Sequence, residues 1–271
     1  MIELPALVDA TLQLEQRVAT LTFKRDDVRN ALTGTHLIDD IHTTCDWINR
    51  NKDVSALIIT GDGKAFSSGG NVKEMHEGKG IFAGSPAEIQ EQYRQGIQRI
   101  PLAMDAIEVP TIAAINGAAI GAGFDLCNMC DIRIGCEHTL LGETFINLGI
   151  IPGDGGAWFL QRAIGYQRAA ELTLSGRLVT GEEALEWGLI LEIVQVDKLL
   201  DRAMELAQSF ASRPPRTVRM SKRLLKAAQR MELRDLLDMS ASMQAVSHKM
   251  EDHREAVDAF MSKRDPAFKG E

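Results

Sequence analysis

The sequence predicts an α/β fold in which parallel strands are joined by helical crossovers. Two observations carry this expectation. Short β-rich runs end in glycine or a turn, as in VSALIITG (54–61) and TIAAI (111–115), and segments of helical period lie between them. From about residue 198 onward the pattern is almost purely helical. The chain of 271 residues is therefore read as a core over 1–197 followed by a helical region over 198–271.

Taken in order, TLQLEQRVATLTF (11–23) alternates apolar and polar residues around Arg17, as a hairpin or two short strands would. Residues 34–50 have helical period, with Leu37, Ile41, Cys45 and Ile48 on one face. VSALIITG reads as a strand buried on both faces. The turn-rich loop DGKAFSSGGN (62–71) follows, then a charged, glycine-containing segment up to Ser85, expected to be mobile. A single helix is expected over 86–106, stopped by the Val109–Pro110 step. TIAAI is the next strand, NGAAIGAG (116–123) a loop, FDLCNMCD (124–131) a short helix and DIRIGCE (131–137) a strand. Thr180 and Glu183 form a T-x-x-E box, with Gly188 suited to end that helix. Pro214 and Pro215 break the helical region. Beyond them Met239, Met243, Val246 and Met250 make an apolar stripe suited to the core or another subunit.

Composition excludes several classes. Thirty basic against 38 acidic residues leave a net charge of −8, which argues against a general nucleic-acid or anionic-membrane surface. The start shows no basic region followed by an apolar one, so no secretory signal is read. Four cysteines in so long a chain do not make a disulfide scaffold, and the cytoplasm is the expected compartment.

The uncharged run from Val109 to Phe124, closed by Asp125, is the most informative stretch. Pro110, Asn116, the glycines and Asp125 exclude a membrane span. Gly117, Gly121 and Gly123 have the wrong spacing for a dinucleotide fingerprint. Cys127 and Cys130 form a C-x-x-C, but with only His138 as a further close ligand beside Cys136, buried packing is the better reading and no metal site is expected.

A chemical reading remains. The strand ends at Ile115, glycines turn the chain, and the first free amides of the next helix, Ala122 above all, suit a developing negative charge. Asp125 follows one turn later on the same face. KAFSSGGN builds a second such loop, bringing an amide at Gly69–Gly70 toward a ligand. Two strand-end loops, each offering one N–H, can together hold one oxyanion.

These segments, with LGIIPGDGGAWFLQRAIG (148–165), resemble the crotonase superfamily, the enoyl-CoA hydratase/isomerase family, in order from Val18 to Gly188. The resemblance implies a spiral of repeated ββα units with a C-terminal helical region that builds a homotrimer or a dimer of trimers. It implies a coenzyme A thioester as substrate, no separate cofactor, and an oxyanion hole at the Gly70 and Ala122 amides. Coenzyme A and acyl contacts would fall on Arg29, Ala31 and Leu32 in RNAL, on Ser68, Gly70, Asn71 and Val72, and on Phe145. Lys263 would reach the nucleotide phosphate across a subunit boundary.

The departures from that family bear on the chemistry. Family hydratases carry two glutamates; here the first position is Asp125 and the second is Phe145, which transfers no proton. Glu143 and Asp154 are the candidates to assist Asp125. The expected mechanism polarises the thioester carbonyl and moves protons with these carboxylates, their pKa values raised by Phe66, Ile120, Phe124, Phe145 and Trp158. Hydration and double-bond migration both stay open. A catalytically silent CoA-ester-binding or assembly protein of the same fold is the alternative.

Overall fold

The computed structural model describes residues 2–271. The chain opens with β1 (Ala10–Glu15) and β2 (Val18–Phe23), an antiparallel hairpin closed by a two-residue turn. Both turn residues have positive φ, Gln16 at 46° and Arg17 at 71°, the geometry that matches the strands' right-handed twist. α1 (Leu37–Arg50) buries Leu37, Ile41, Cys45 and Ile48, the face the periodicity predicts. β3 (Ala56–Gly61) is buried along almost its whole length, and β4 (Ala65–Ser67) follows after a tight turn.

One expectation fails in the next segment. The stretch up to Ser85 contains α2 (Val72–Glu77), capped by the Asn71 side chain, and a 3-10 turn over Gly80–Phe82. The helix expected over 86–106 is two helices, α3 (Pro86–Gln95) and α4 (Arg99–Ala106). Gly96 parts them at φ −107°, ψ −110°, a conformation outside the helix basin. Between Asn71 and Gly96 no residue is fully buried.

β5 (Thr111–Ile115) and the loop after it contain a further surprise. Within the glycine-rich segment lies a short strand, β6 (Ala118–Ile120), where only a loop is expected. α5 (Ala122–Met129), β7 (Ile132–Cys136) and β8 (Leu140–Gly142) come next. A 3-10 turn, Thr144–Leu148, leads through the PGDGG loop to α6 (Gly156–Ile164), α7 (Tyr166–Ser175), β9 (Leu178–Thr180), α8 (Gly181–Glu186) and β10 (Glu192–Val194). Thr180 caps α8 as expected, but the Glu183 side chain binds Arg177 instead of returning to the cap. The chain ends in α9 (Leu199–Ala211), α10 (Pro215–Ala228), α11 (Leu233–Ser247) and α12 (Glu251–Ser262).

Two sheets result. One has the order β1-β2-β3-β5-β7-β10 and is parallel except for the hairpin. The other, β4-β6-β8-β9, is parallel except at β8–β9. The main core fills the space between the sheets, α1, α4 and α5. The expected division at 197/198 falls just before α9, and α9 packs on the six-stranded sheet, setting Leu199, Ala203 and Ala207 against Val18, Ile58 and Ile112. α11 lies farther out, with Leu233, Leu237 and Val246 exposed. No described helix is long and apolar enough to cross a membrane.

Candidate active site

The second sheet explains why two distant glycine loops meet. β4 and β6 are parallel neighbours, Ala65 opposite Ala118 and Ser67 opposite Ala119, so the loops after them leave from the same edge. They touch closely. Gly69, at φ +75°, has no room for a side chain, since a Cβ would stand 2.8 Å from the Ala122 nitrogen and overlap the Ile120 carbonyl. The RNAL segment braces this junction, with Leu32 N–H donating to the Gly69 carbonyl at 2.7 Å and Ser68 N–H to the Arg29 carbonyl at 2.9 Å. Gly70 and Ala122 line one cavity, and neither amide has an acceptor among the described residues. Ala122 is also the first residue of α5, where the helix dipole favours negative charge.

Three carboxylates gather beside this cavity. Asp125 and Glu143 are completely buried, and Asp154 is 4% exposed. Asp125 lies on α5, Glu143 between β8 and the following turn, and Asp154 just before α6. They converge at the N-terminus of α6, where a Cβ on Gly156 would overlap Asp125 Oδ1 and Glu143 Oε1 together. Only glycine leaves these oxygens room.

The environment of the acids is unusual. Both oxygens of Asp125, both of Glu143 and Oδ1 of Asp154 are buried without a hydrogen-bond donor from any residue outside the three. No arginine or lysine pairs with them. Burial raises all three pKa values. Asp125 goes well above the usual carboxylate range, because the charges of Asp154 and Glu143 add to its burial. Glu143 is raised to about 7, by burial and by the Asp154 charge, against a hydrogen bond from Asp125 that lowers it. Asp154 rises by burial, again moderated by a hydrogen bond from Asp125. Burial and mutual repulsion together disfavour ionising all three at once. The three titrate as a group rather than singly.

Access separates them. Asp154 lines the cavity; Asp125 and Glu143 stand behind it, closed off from solvent. Most of the rest of the lining is apolar, including Met75, Ile81, Phe82, Ile97, Phe145 and Ile150. Phe145 lies over the Gly121 turn, its ring 3.6 Å from where a Cβ there would stand. The expected substrate residues divide. Ser68, Gly70, Val72 and Phe145 line the cavity, whereas Ala31 and Leu32 are buried beside the loop and Arg29 is exposed outside it. Asn71 caps α2, and its own N–H donates to Thr33 Oγ1 at 2.7 Å. Lys263 ends α12, exposed at φ 54°, and no residue of 198–271 lines this cavity. Trp158 does not line this cavity but a separate pocket, its ring beneath the Arg162 guanidinium at 3.8 Å.

Sequence reasoning overlooked Thr33, Tyr93 and Gly156. The third glycine of PGDGG was the only available signal for Gly156, and it reads as an ordinary turn. Cys127 and Cys130 are buried free thiols that donate to carbonyls one helical turn back. Among the described residues, no group of three or more His, Cys, Asp or Glu side chains is placed to hold a metal ion.

The arrangement joins two unpaired amides, suited to an oxyanion, to acids that share protons in an apolar cavity. Known proteins share this frame. The family model for enoyl-CoA hydratase/isomerase matches residues 13–271. A probable enoyl-CoA hydratase of Bacillus subtilis is 34% identical, with 96% of this chain and 98% of that protein covered. The 1,2-epoxyphenylacetyl-CoA isomerase of Escherichia coli is 30% identical over 95% and 97%. The crystal structure of an enoyl-CoA hydratase from Bacillus anthracis superposes with a TM-score of 0.90 at 32% identity, covering 97% of this chain and all of that one. With its fold, its paired strand-end loops and the match along nearly its whole length in agreement, this chain belongs to the enoyl-CoA hydratase/isomerase family.

Proposed function

We propose that this enzyme moves the double bond of an unsaturated acyl-CoA thioester by one position, through an enolate held between the Gly70 and Ala122 amides. The observation that supports this most is the ranking of the acids by access: Asp154 alone opens on the cavity. Hydration by paired acids needs two carboxylates that both reach a water on the substrate. Relocating a proton needs one group that removes it at one carbon and returns it at another.

The Asp154 carboxylate takes a proton from Cα of a 3-enoyl thioester. The C–H electron pair moves into a dienolate whose negative charge collects on the thioester oxygen, facing the two N–H groups. The Asp154 carboxyl then returns the proton at Cγ, the carbonyl re-forms, and the conjugated 2-enoyl thioester leaves. Asp125 and Glu143 back Asp154 from the side closed to solvent, as positioning groups. Neither a metal nor a nicotinamide is required for this proton chemistry. Three buried acids without a cation are costly to keep in a fold, which favours catalysis over a silent binding role.

The exposed apolar residues of α11 and α12, among them Leu237, Phe260 and Met261, support assembly into the expected trimer or pair of trimers. Four free cysteines fit the cytoplasm.

The deciding experiment supplies a 3-enoyl-CoA and follows both the absorbance of the conjugated thioester and the mass of the product. The expected product has the mass of the substrate. Asp154→Asn should lower kcat by roughly 10²–10⁴ with KM little changed. A main product heavier by one water, formed from the 2-enoyl ester at a comparable rate, would make the enzyme a hydratase instead.

A further inference from the structure

A second, larger cavity adjoins the catalytic one, and a single aromatic ring stands between them. The inner cavity measures about 80 Å³. An apolar cavity of about 150 Å³ holds one benzene, so the inner space alone accepts only a short acyl chain. The outer groove measures about 630 Å³ and is lined by Gln90, Arg94, Gln98 and Ile151 among others. Tyr93 and Ile150 line both.

The Tyr93 ring stands at the junction of the two spaces, beside the loop that carries Asp154. Its Cε1 is 3.0 Å from the position of a Cβ on Gly153, the residue next to Asp154, and its ring meets Phe82 edge-on at 6.5 Å. The Gly153 carbonyl is tied to Gln98 Nε2 at 2.7 Å, which keeps the opposite wall in place. Tyr93 itself sits on a less anchored element. α3 buries none of its residues, and it is parted from α4 by the non-helical Gly96. Tyr93 nevertheless packs against the main core, which gives its ring a fixed seat at the junction of the two spaces.

We infer that Tyr93 sets the acyl-chain length this enzyme accepts, its ring closing the inner cavity against the outer groove. With the ring in place a short acyl chain fills the inner space. Without it, a long chain runs past Asp154 into the outer groove, against the apolar flank of Ile150 and Ile151. This rests on the acyl-CoA reading above, so the experiment measures binding rather than turnover.

Saturated butanoyl-CoA and dodecanoyl-CoA are titrated calorimetrically into the wild-type protein, Tyr93→Ala and Tyr93→Phe. Wild type should bind butanoyl-CoA the more tightly of the two. Tyr93→Ala should raise the affinity for dodecanoyl-CoA relative to butanoyl-CoA at least tenfold, and Tyr93→Phe, which keeps the ring, should leave the ratio unchanged. If all three proteins bind both esters with one ratio, Tyr93 does not set chain length. If Tyr93→Phe shifts the ratio as far as Tyr93→Ala, the hydroxyl and not the ring is responsible, and the inference is overturned. If wild type binds neither ester, the acyl-CoA reading itself falls and takes this assignment with it.

Discussion

Replacing Glu143 by glutamine should stabilise the protein, and do so only above acidic pH. In the folded chain the Glu143 carboxyl titrates near 7, against 4.5 for an ordinary glutamate, chiefly because it is buried. Below 4.5 both folded and unfolded chains are protonated there, and the site has no effect on the balance. Between 4.5 and 7 the folded chain keeps a proton the unfolded chain has released. Stability then falls with rising pH, by ~1.4 kcal/mol per unit, and levels off once the folded carboxyl is also ionised. Over that window the loss is on the order of 3 kcal/mol. Glutamine carries no such penalty, and its amide can donate to the acids that otherwise lack a donor. For a chain of this size the difference corresponds to roughly 6–12 °C in Tm. The assay is thermal unfolding of both proteins at pH 5 and pH 8, at one protein concentration because assembly would shift Tm. Glu143→Gln should melt well above wild type at pH 8, with most of that margin gone at pH 5. A variant destabilised equally at both pH values would show that Glu143 is held ionised by partners absent from this account, and the reasoning would fail.

Ala122→Pro removes the proposed oxyanion donor at the first position of α5, where a helix tolerates proline. Turnover should drop by roughly 10²–10³; unchanged kcat would take Ala122 out of the oxyanion hole. Gly156→Ala forces a methyl group onto the Asp125 and Glu143 oxygens. It should cost about 1–3 kcal/mol in a denaturant titration and disable turnover as the acids are pushed aside. An active variant of wild-type stability would mean the acids can part freely. Replacing Gln16–Arg17 by Asn–Gly suits the positive φ of both turn residues and should stabilise the hairpin by about 0.5–1 kcal/mol. A lower denaturation midpoint in that variant would contradict the turn geometry.

The strands were legible where apolar runs were continuous, as in β3 and β5, because burial on both faces leaves a pattern in the residues themselves. β6 was not. Its Ala118–Ile120 is flanked by glycines that read as a loop, and it is a strand only because β4 and β8 pair with it on either side. The break at Gly96 was equally hidden, since Ile89, Tyr93, Ile97 and Ile100 continue a helical period across it. For the site, local spacing was enough to propose the Ala122 amide and Asp125, while Glu143 and Asp154 came forward as acids through the family resemblance. The order of those acids was not readable. Asp125 looked like the principal group, yet it is fully buried, and Asp154 is the one that faces the cavity.

The sequence by itself determined the α/β class, the two glycine loops, the absence of a second family glutamate at Phe145, and the family to which the chain belongs. These are properties of residue type and spacing along the chain. Only the tertiary structure decided which acid faces the cavity, why Gly156 must be glycine, and where Tyr93 stands. Each depends on the N-terminus of α6 and the 72–95 segment coming to rest against residues far away in the chain, and no local pattern records such a meeting.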